Sequence, residues 1–206
     1  MTSANTLANG RQLPKRFLLM VYGPMCAGKT TLINKLFESY DGIFKGSNDY
    51  IKWLISNCGL NKYKILNNTM TLKLTEVALE HGLSAMIDGN SHILAEMSSD
   101  YKSLAERYSV PIYEVNIEAP YNVLLMRFNE RVKKGIIEAT GTRPTIVTEY
   151  EMKRRYELYC KNKKTLIPTF SSEFHSSEEI SRQIINSLFE HDAMKQLETE
   201  TRGGRT

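Results

Sequence analysis

The run Gly23-Pro24-Met25-Cys26-Ala27-Gly28-Lys29-Thr30 fits the spacing G-x-x-x-x-G-K-[ST] at every fixed position, and no other stretch constrains the chain as tightly. A loop of this kind turns successive backbone N–H groups inward onto phosphate oxygens. That demands backbone angles and a closeness of approach that side chains obstruct. Lys29 is placed to reach the β and γ phosphates of a nucleoside triphosphate, and the Thr30 hydroxyl to hold Mg²⁺, with Thr31 beside it at the helix start. The flanking sequence agrees with this reading. Phe17 to Tyr22 is an apolar run of strand length, and Leu32, Ile33, Leu36, Phe37 and Tyr40 recur at helical spacing after the loop. The segment therefore predicts strand, loop and helix, with phosphate at the helix N-terminus.

Composition sets the outer bounds. A chain of 206 residues, 41% hydrophobic and 24% charged, can bury one substantial core. The expected organisation is a disordered leader over 1–14, one domain built on the phosphate loop over 15–191 and a flexible tail over 192–206. The net charge of +4 suits an anionic substrate without making the strongly basic face of a dedicated nucleic-acid binder. Cys26, Cys58 and Cys160 are odd in number and far apart, which argues against a disulfide framework or a zinc site. No apolar run reaches the roughly 18 residues of a membrane span. A reducing cytoplasmic setting, no membrane association and no obligate protein partner are the expectations.

Taken in order, the chain alternates strand and helix. A short second strand over 42–47 leads to Asn48-Asp49, followed by a helix over 50–58 with Ile51 and Leu54 on one side. Asn61 to Asn68 reads as a loop, and Met70 to Leu79 as a helix stopped by His81-Gly82. Leu83 to Ile87 is a third strand delivering Asp88-Gly89-Asn90. Ile93, Met97, Tyr101, Leu104 and Tyr108 mark one face of a long helix. Pro111 to Ile117 is a fourth strand, in which Glu114 and Glu118 read as edge or end positions. Pro120 opens a helix carrying Arg127 and Arg131, which share a face. A lid is expected over about 127–147, including Arg143. Thr148 and Glu151 form a capping box for a basic helix whose charges, Lys153 to Lys164, read as a solvated face. A fifth strand falls within 165–170 or, because Pro168 interrupts that stretch, starts near Phe170, and Ser176 or Ser177 caps a last helix with Ile180 and Ile184 toward the core. The fold class predicted is an α/β/α sandwich on a five-stranded parallel sheet, with the phosphate-binding loop after the first strand.

In open parallel sheets ligands bind outside the carboxyl ends of the strands, so Asp49 and Asp88 face one crevice. A phosphoryl transferase needs a base for the acceptor hydroxyl, an acceptor site beside the γ-phosphate, and cations that follow the migrating charge. Asp49 is the candidate base, Lys52 can hold an anionic group on the acceptor, and Arg127, Arg131 and Arg143 can close over the phosphates. Each also has a plain structural reading: a helix cap for Asp49 and Asp88, a solvated lysine, surface arginines paired with Glu130.

At these residues the chain resembles the P-loop kinases grouped around phage-type polynucleotide kinase, with zeta toxins and several small-molecule kinases as relatives. Asp49-x-x-Lys52, 20 residues beyond Lys29, is similar to the family's catalytic segment. The resemblance implies Asp49 as general base and Lys52 as a contact to a substrate phosphate, where polynucleotide members commonly carry arginine. It implies that Asp88 and Asn90 arrange the acceptor and the Mg²⁺ waters, and that Arg127 and Arg131 belong to a lid. The segment from Gly135 to Pro144 has no counterpart. The expected activity is ATP-dependent transfer of the γ-phosphate to a hydroxyl of a nucleotide or a polynucleotide 5′ end, with Lys29, Asp49 and Arg131 catalytic and ATP and Mg²⁺ as cofactors. A small-metabolite or sugar-nucleotide kinase, and a nucleotide-dependent switch, are the alternatives.

Overall fold

The computed structural model describes residues 11–12, 16–47, 51, 54, 64–88, 96–134 and 148–187, the side chains of 11, 12, 64 and 65 excepted. Five parallel strands form the central sheet in the order β4-β5-β2-β6-β7: β2 (Leu18–Tyr22), β4 (Ile43–Ser47), β5 (Ser84–Asp88), β6 (Ile112–Glu118) and β7 (Thr169–Ser171). This is the five-stranded α/β sheet expected from the sequence. Two further strands, β1 (Arg11–Gln12) and β3 (Tyr40–Asp41), pair with each other in parallel. Arg11 and Gln12, within the stretch expected as a leader, thus run extended beside Tyr40 and Asp41. The same pair takes Tyr40 out of the first helix.

The strand β2 is buried on both faces, as a central parallel strand must be. Leu19 and Val21 point to one face, where α1 (Lys29–Ser39), α4 (Tyr121–Lys133), α5 (Glu149–Asn162) and α6 (177–187) contribute Leu32, Leu36, Leu124, Phe128, Met152, Ile180 and Ile184. Leu18, Met20 and Tyr22 point to the other, against Leu79 of α2 (Lys64–Glu80) and Tyr101 and Leu104 of α3 (Ser98–Arg107). Phe37 is the exception on α1: it lies half in solvent with the Lys45 ammonium 5.9 Å from its ring centroid. Leu32, Ile33 and Leu36 already fill the stripe that faces the sheet.

Helix ends follow their sequence signals. Gly82, at φ 80°, ends α2 while Leu83 N donates to Ala78 O and Gly82 N to Leu79 O, the paired bonds of a left-handed helix stop. Thr148 Oγ1 accepts from Glu151 N at 3.2 Å, and Ser176 and Glu179 bond each other's backbone N–H groups reciprocally. The start of α2 differs from expectation. The stretch 61–68 was expected as a loop, yet helix begins at Lys64, because Asn67 and Thr71 sit on its inward face rather than in solvent. Among the described residues no helix is long and apolar enough to cross a membrane.

Glu114 corrects a second expectation. It lies within an interior strand, opposite Met20 in register, and not at an edge or an end. Lys164 Nζ donates to its Oε1, and also to Ser98 Oγ at 2.8 Å and Tyr22 OH at 3.1 Å; Tyr22 OH donates to the same carboxylate at 2.6 Å. Lys163 beside it pairs with Glu118 at 2.6 Å, so the basic run is not wholly a solvated face. Burial pushes the Glu114 carboxyl up, but the hydrogen bonds from Lys164 and Tyr22 and the charges of Lys164 and Lys102 outweigh it and hold it below the usual range. A carboxyl lowered in this way stabilises the fold above its unfolded value, and the contribution is lost as pH falls through the folded value. Urea unfolding against pH should show a loss of stability setting in below about pH 4.3 that Glu114→Gln diminishes. At neutral pH, Lys164→Met should cost about 2–3 kcal/mol, less than the roughly 3–5 kcal/mol of a fully buried pair, since the lysine side chain keeps 25% of its exposure.

Candidate active site

The site starts where β2 ends. Gly23, at φ 147°, leaves the strand so close to β6 that an added Cβ would lie 2.1 Å from the carbonyl oxygen of Ile117. Only glycine fits there. Gly28, at φ 96°, is the N-cap of α1, and the backbone between includes Cys26 at φ 65°, a left-handed angle rare for a residue with a side chain. Strain of this sort gathers at ligand-binding turns. Lys29 Nζ folds back over the loop and donates to Pro24 O at 2.9 Å, so its charge rests above the concave backbone.

Thr30 Oγ1 donates to Asp88 Oδ2 at 2.5 Å. This bond joins the first turn of α1 to the last residue of β5 across the crevice between β2 and β5, two neighbouring strands whose next described helices, α1 and α3, pack on opposite faces of the sheet. Asp88 is buried and Thr30 exposed, so a carboxylate held in the protein meets a hydroxyl open to the ligand side. Among the described residues no group of three or more His, Cys, Asp or Glu forms a metal cage. One hydroxyl and one carboxylate, both hard oxygen donors, suit Mg²⁺, which keeps most of its waters and takes the rest of its ligands from phosphate.

Cations ring the loop. Arg127 Nη1 donates to Ser172 Oγ at 2.9 Å and to Cys26 O at 3.4 Å, and Nη2 to Ser172 O at 2.6 Å. Ser172 in turn bonds Glu118 O through both its N–H and its hydroxyl. The guanidinium thus ties the loop to the ends of β6 and β7. Burial pushes the Cys26 thiol up, and the positive charges of Arg131, Lys29 and Arg127, with Arg131 the strongest of the three, do not offset it. That ordering puts Arg131 within electrostatic reach of the same loop.

Thr31 is exposed on α1, Pro24 and Ala27 are buried in the loop, and Met25 is partly buried against the core. Asp49, Lys52, Asn90 and Arg143 lie outside the described residues, as does the lid expected beyond Lys134. Sequence reasoning passed over Ser172 and read Glu118 only as an edge or end position. Glu118 contributes its backbone oxygen, and Ser172 both its hydroxyl and its backbone oxygen, at strand ends far along the chain from the loop. A largely apolar cleft lined by Ile112, Tyr113, Ile167, Pro168, Phe170 and Ile184 opens at the opposite, amino end of β6, away from this chemistry.

Residues 18–158, more than half of the chain, match the family profile AAA_33, an AAA domain. The chain belongs to that family. No curated protein matches the sequence. Among solved structures, this AAA domain is similar to a candidate kinase from Chloroflexus aurantiacus (TM-score 0.61, 16% identity, 82% of this chain and 97% of that one). It is similar also to the Mycobacterium tuberculosis APS kinase CysC in complex with AMPPNP and APS (0.54, 15%, 85% and 98%). A third match is a chain of the Pnkp1/Rnl/Hen1 RNA repair complex (0.56, 18%, 78% and 49%). At these identities the likeness establishes the fold, which is that of P-loop kinases.

Two glycines of this AAA domain offer a contrast. Gly42, at φ 73°, has nothing within 4 Å of an added Cβ, whereas Gly23 meets a carbonyl oxygen. Gly42→Ala should cost about 1–2 kcal/mol of conformational strain and leave nucleotide binding intact. Gly23→Ala should abolish the thermal stabilisation that ATP gives, even where circular dichroism shows a folded chain. Equal retention of ATP binding by both variants would break the assignment of the loop.

Proposed function

We propose that this protein is an ATP-dependent phosphotransferase that moves the γ-phosphate to a hydroxyl of a nucleotide or a polynucleotide 5′ end. The observation that carries it is the Thr30 to Asp88 hydrogen bond beneath a glycine-built phosphate loop, with Lys29, Arg127 and Arg131 gathered around the same loop. A loop that merely turned a chain has no use for that convergence. The RNA repair complex and the APS kinase among its structural neighbours support kinase chemistry of this kind without fixing the acceptor.

In the proposed reaction the acceptor oxygen forms a bond to the γ-phosphorus, the bridging P–O bond to the β-phosphate breaks, and ADP leaves. Asp49 takes the acceptor proton, a role typically worth 10²- to 10⁴-fold. Loop N–H groups and Lys29 hold the β and γ phosphates, and Thr30 with Asp88 would hold Mg²⁺. The metal would supply neutralisation of charge on the β and γ oxygens. Arg131 meets the charge that develops as the phosphoryl group moves, while Arg127, pinned through Ser172, keeps the loop in place. Lys52 holds an anionic group of the acceptor, and Asn90 helps to orient it.

A small-metabolite or sugar-nucleotide kinase is the second reading, favoured by Lys52, since a lysine cannot grip phosphate in two-pronged fashion as arginine does. Transfer from γ-labelled ATP to 5′-hydroxyl oligonucleotides, nucleosides, nucleotides and sugars separates the two. Lys29→Ala should abolish transfer to every acceptor with the fold intact. Arg131→Ala should lower kcat by at least about 100-fold with little change in ATP affinity, as expected of a group that acts mainly in the transition state. Phosphate release from ATP without any acceptor, indifferent to Asp49→Asn, would instead mark a nucleotide-dependent switch.

A further inference from the structure

Along most of its length the helix α2 buries polar side chains: Asn67, Thr71 and Thr75 lie four residues apart and none is more than 5% exposed, while Leu74 and Val77 are exposed, and the apolar Ala78 and Leu79 are buried in its last turn. The two threonines are satisfied within the helix: Thr71 Oγ1 donates to Asn67 O at 2.9 Å and Thr75 Oγ1 to Thr71 O at 2.8 Å. Asn67 is not. Its side-chain Oδ1 is buried with no hydrogen-bond partner among the described residues. Buried polar atoms are almost always paired, so an orphan calls for an explanation. Asn116 also has a buried unpaired Oδ1, but its amide nitrogen ties Lys164 O and Thr169 Oγ1 to β6, which gives that side chain a structural purpose.

The position of Asn67 supplies the explanation. Gly82 ends α2 two residues before β5 begins, so the helix runs against the strands and its first turns lie at their carboxyl ends. A Cβ built on Gly46 lies 3.4 Å from Thr71 Cγ2, which sets Thr71 level with Gly46 and its partner Ile87. Asn67, one turn or about 6 Å further toward that edge, is level with or just above the paired ends Ser47 and Asp88. Asn67 thus sits on the opposite face of the sheet from α1, toward the edge where Asp88 receives the Thr30 hydroxyl.

We infer that Asn67 is a specificity-determining residue of the acceptor site, its Oδ1 accepting a hydrogen bond from an N–H or O–H of the molecule that receives the phosphate. The inference rests on the phosphotransferase reading above. A site with a buried acceptor atom selects by exclusion: a molecule lacking the matching donor leaves the oxygen unpaired and is rejected.

The test uses whichever acceptor in the transfer screen wild type phosphorylates, together with analogues in which each donor is removed in turn: purine riboside for adenosine, the 2′-deoxy form for a ribose, the deoxy sugar for a sugar. Asn67→Leu should raise the acceptor KM about 10- to 100-fold and leave the KM for ATP within about twofold. One analogue should lose as much with wild type and nothing further with the variant, which identifies the donor as a base N–H or a sugar O–H. Should the leucine variant fail to fold, Asn67→Ala carries the same comparison. An Asn67 variant with unchanged acceptor KM, whatever its melting temperature, overturns the inference and leaves the kinase reading standing. A wild-type protein that phosphorylates nothing in the screen overturns both.

Discussion

The contact on which the rest of the site depends is the approach of Gly23 to the carbonyl of Ile117. With an added Cβ at 2.1 Å from that oxygen, the loop backbone lies flush on the end of β6, with no side chain between. Everything that follows the loop inherits its position from this contact. Gly28 caps α1, α1 presents Thr30, and Thr30 meets the end of β5. Arg127 then closes the other side by binding both the loop and Ser172 beyond β7. The loop is thereby referenced to the ends of β5, β6 and β7. A phosphate site needs that rigidity, because donors aimed at developing charge are effective only when they need not reorganise.

The strand β6 holds this arrangement together by polar means on one of its faces. Its alternate residues Glu114, Asn116 and Glu118 each engage the connection between α5 and β7: Lys164 through its ammonium, Lys164 O and Thr169 through the asparagine amide, and Lys163 with Tyr159 at the strand's end. β7 has only three residues and its side chains are at best half buried, so hydrophobic burial contributes little to seating it. Two adjacent lysines meeting two carboxylates on one strand face fix the connection instead. The partly buried pair at Glu114 is costly to break and specific in register, whereas the exposed Arg154 to Glu151 pair adds little.

What could be read in the sequence was what local chemistry determines. The phosphate loop, the five strands, the glycine stop at Gly82 and the capping residues Thr148 and Ser176 all announce themselves within a few residues, because backbone angles and orphan N–H groups are satisfied locally. Glu114 was misplaced because the meaning of a carboxylate in a strand depends on Lys164, 50 residues away. Residues 64–68 were taken for a loop because Asn67 and the threonines after it violate the rule that a helix buries its apolar side. Ser172 left no trace, since its partner Arg127 lies 45 residues away in the chain and part of its role is played through main-chain atoms. The strand-end position of Asp88 was legible; its bond to Thr30 needed the fold that brings residues 58 apart together.

The two sides of the crevice differ in chemistry, and the difference bears on how an acceptor would be chosen. On the side of α1 and α4, Lys29 and Arg127 bond the loop backbone and Arg131 lies within electrostatic reach of it, an environment suited to any polyphosphate with little regard to what it is attached to. On the side of α2 the buried line is neutral, and its hydroxyls are spent on the helix's own carbonyls. A neutral amide oxygen adds little general attraction and is not screened by salt. It discriminates by requiring a donor at one place. A transferase that must hold every triphosphate tightly and yet phosphorylate few hydroxyls gains from this division, since charge on the acceptor side would favour any anion that diffused in. Selection by an unpaired buried oxygen carries a standing cost in stability, which is the form that specificity takes when the discriminating group is assembled before its ligand arrives.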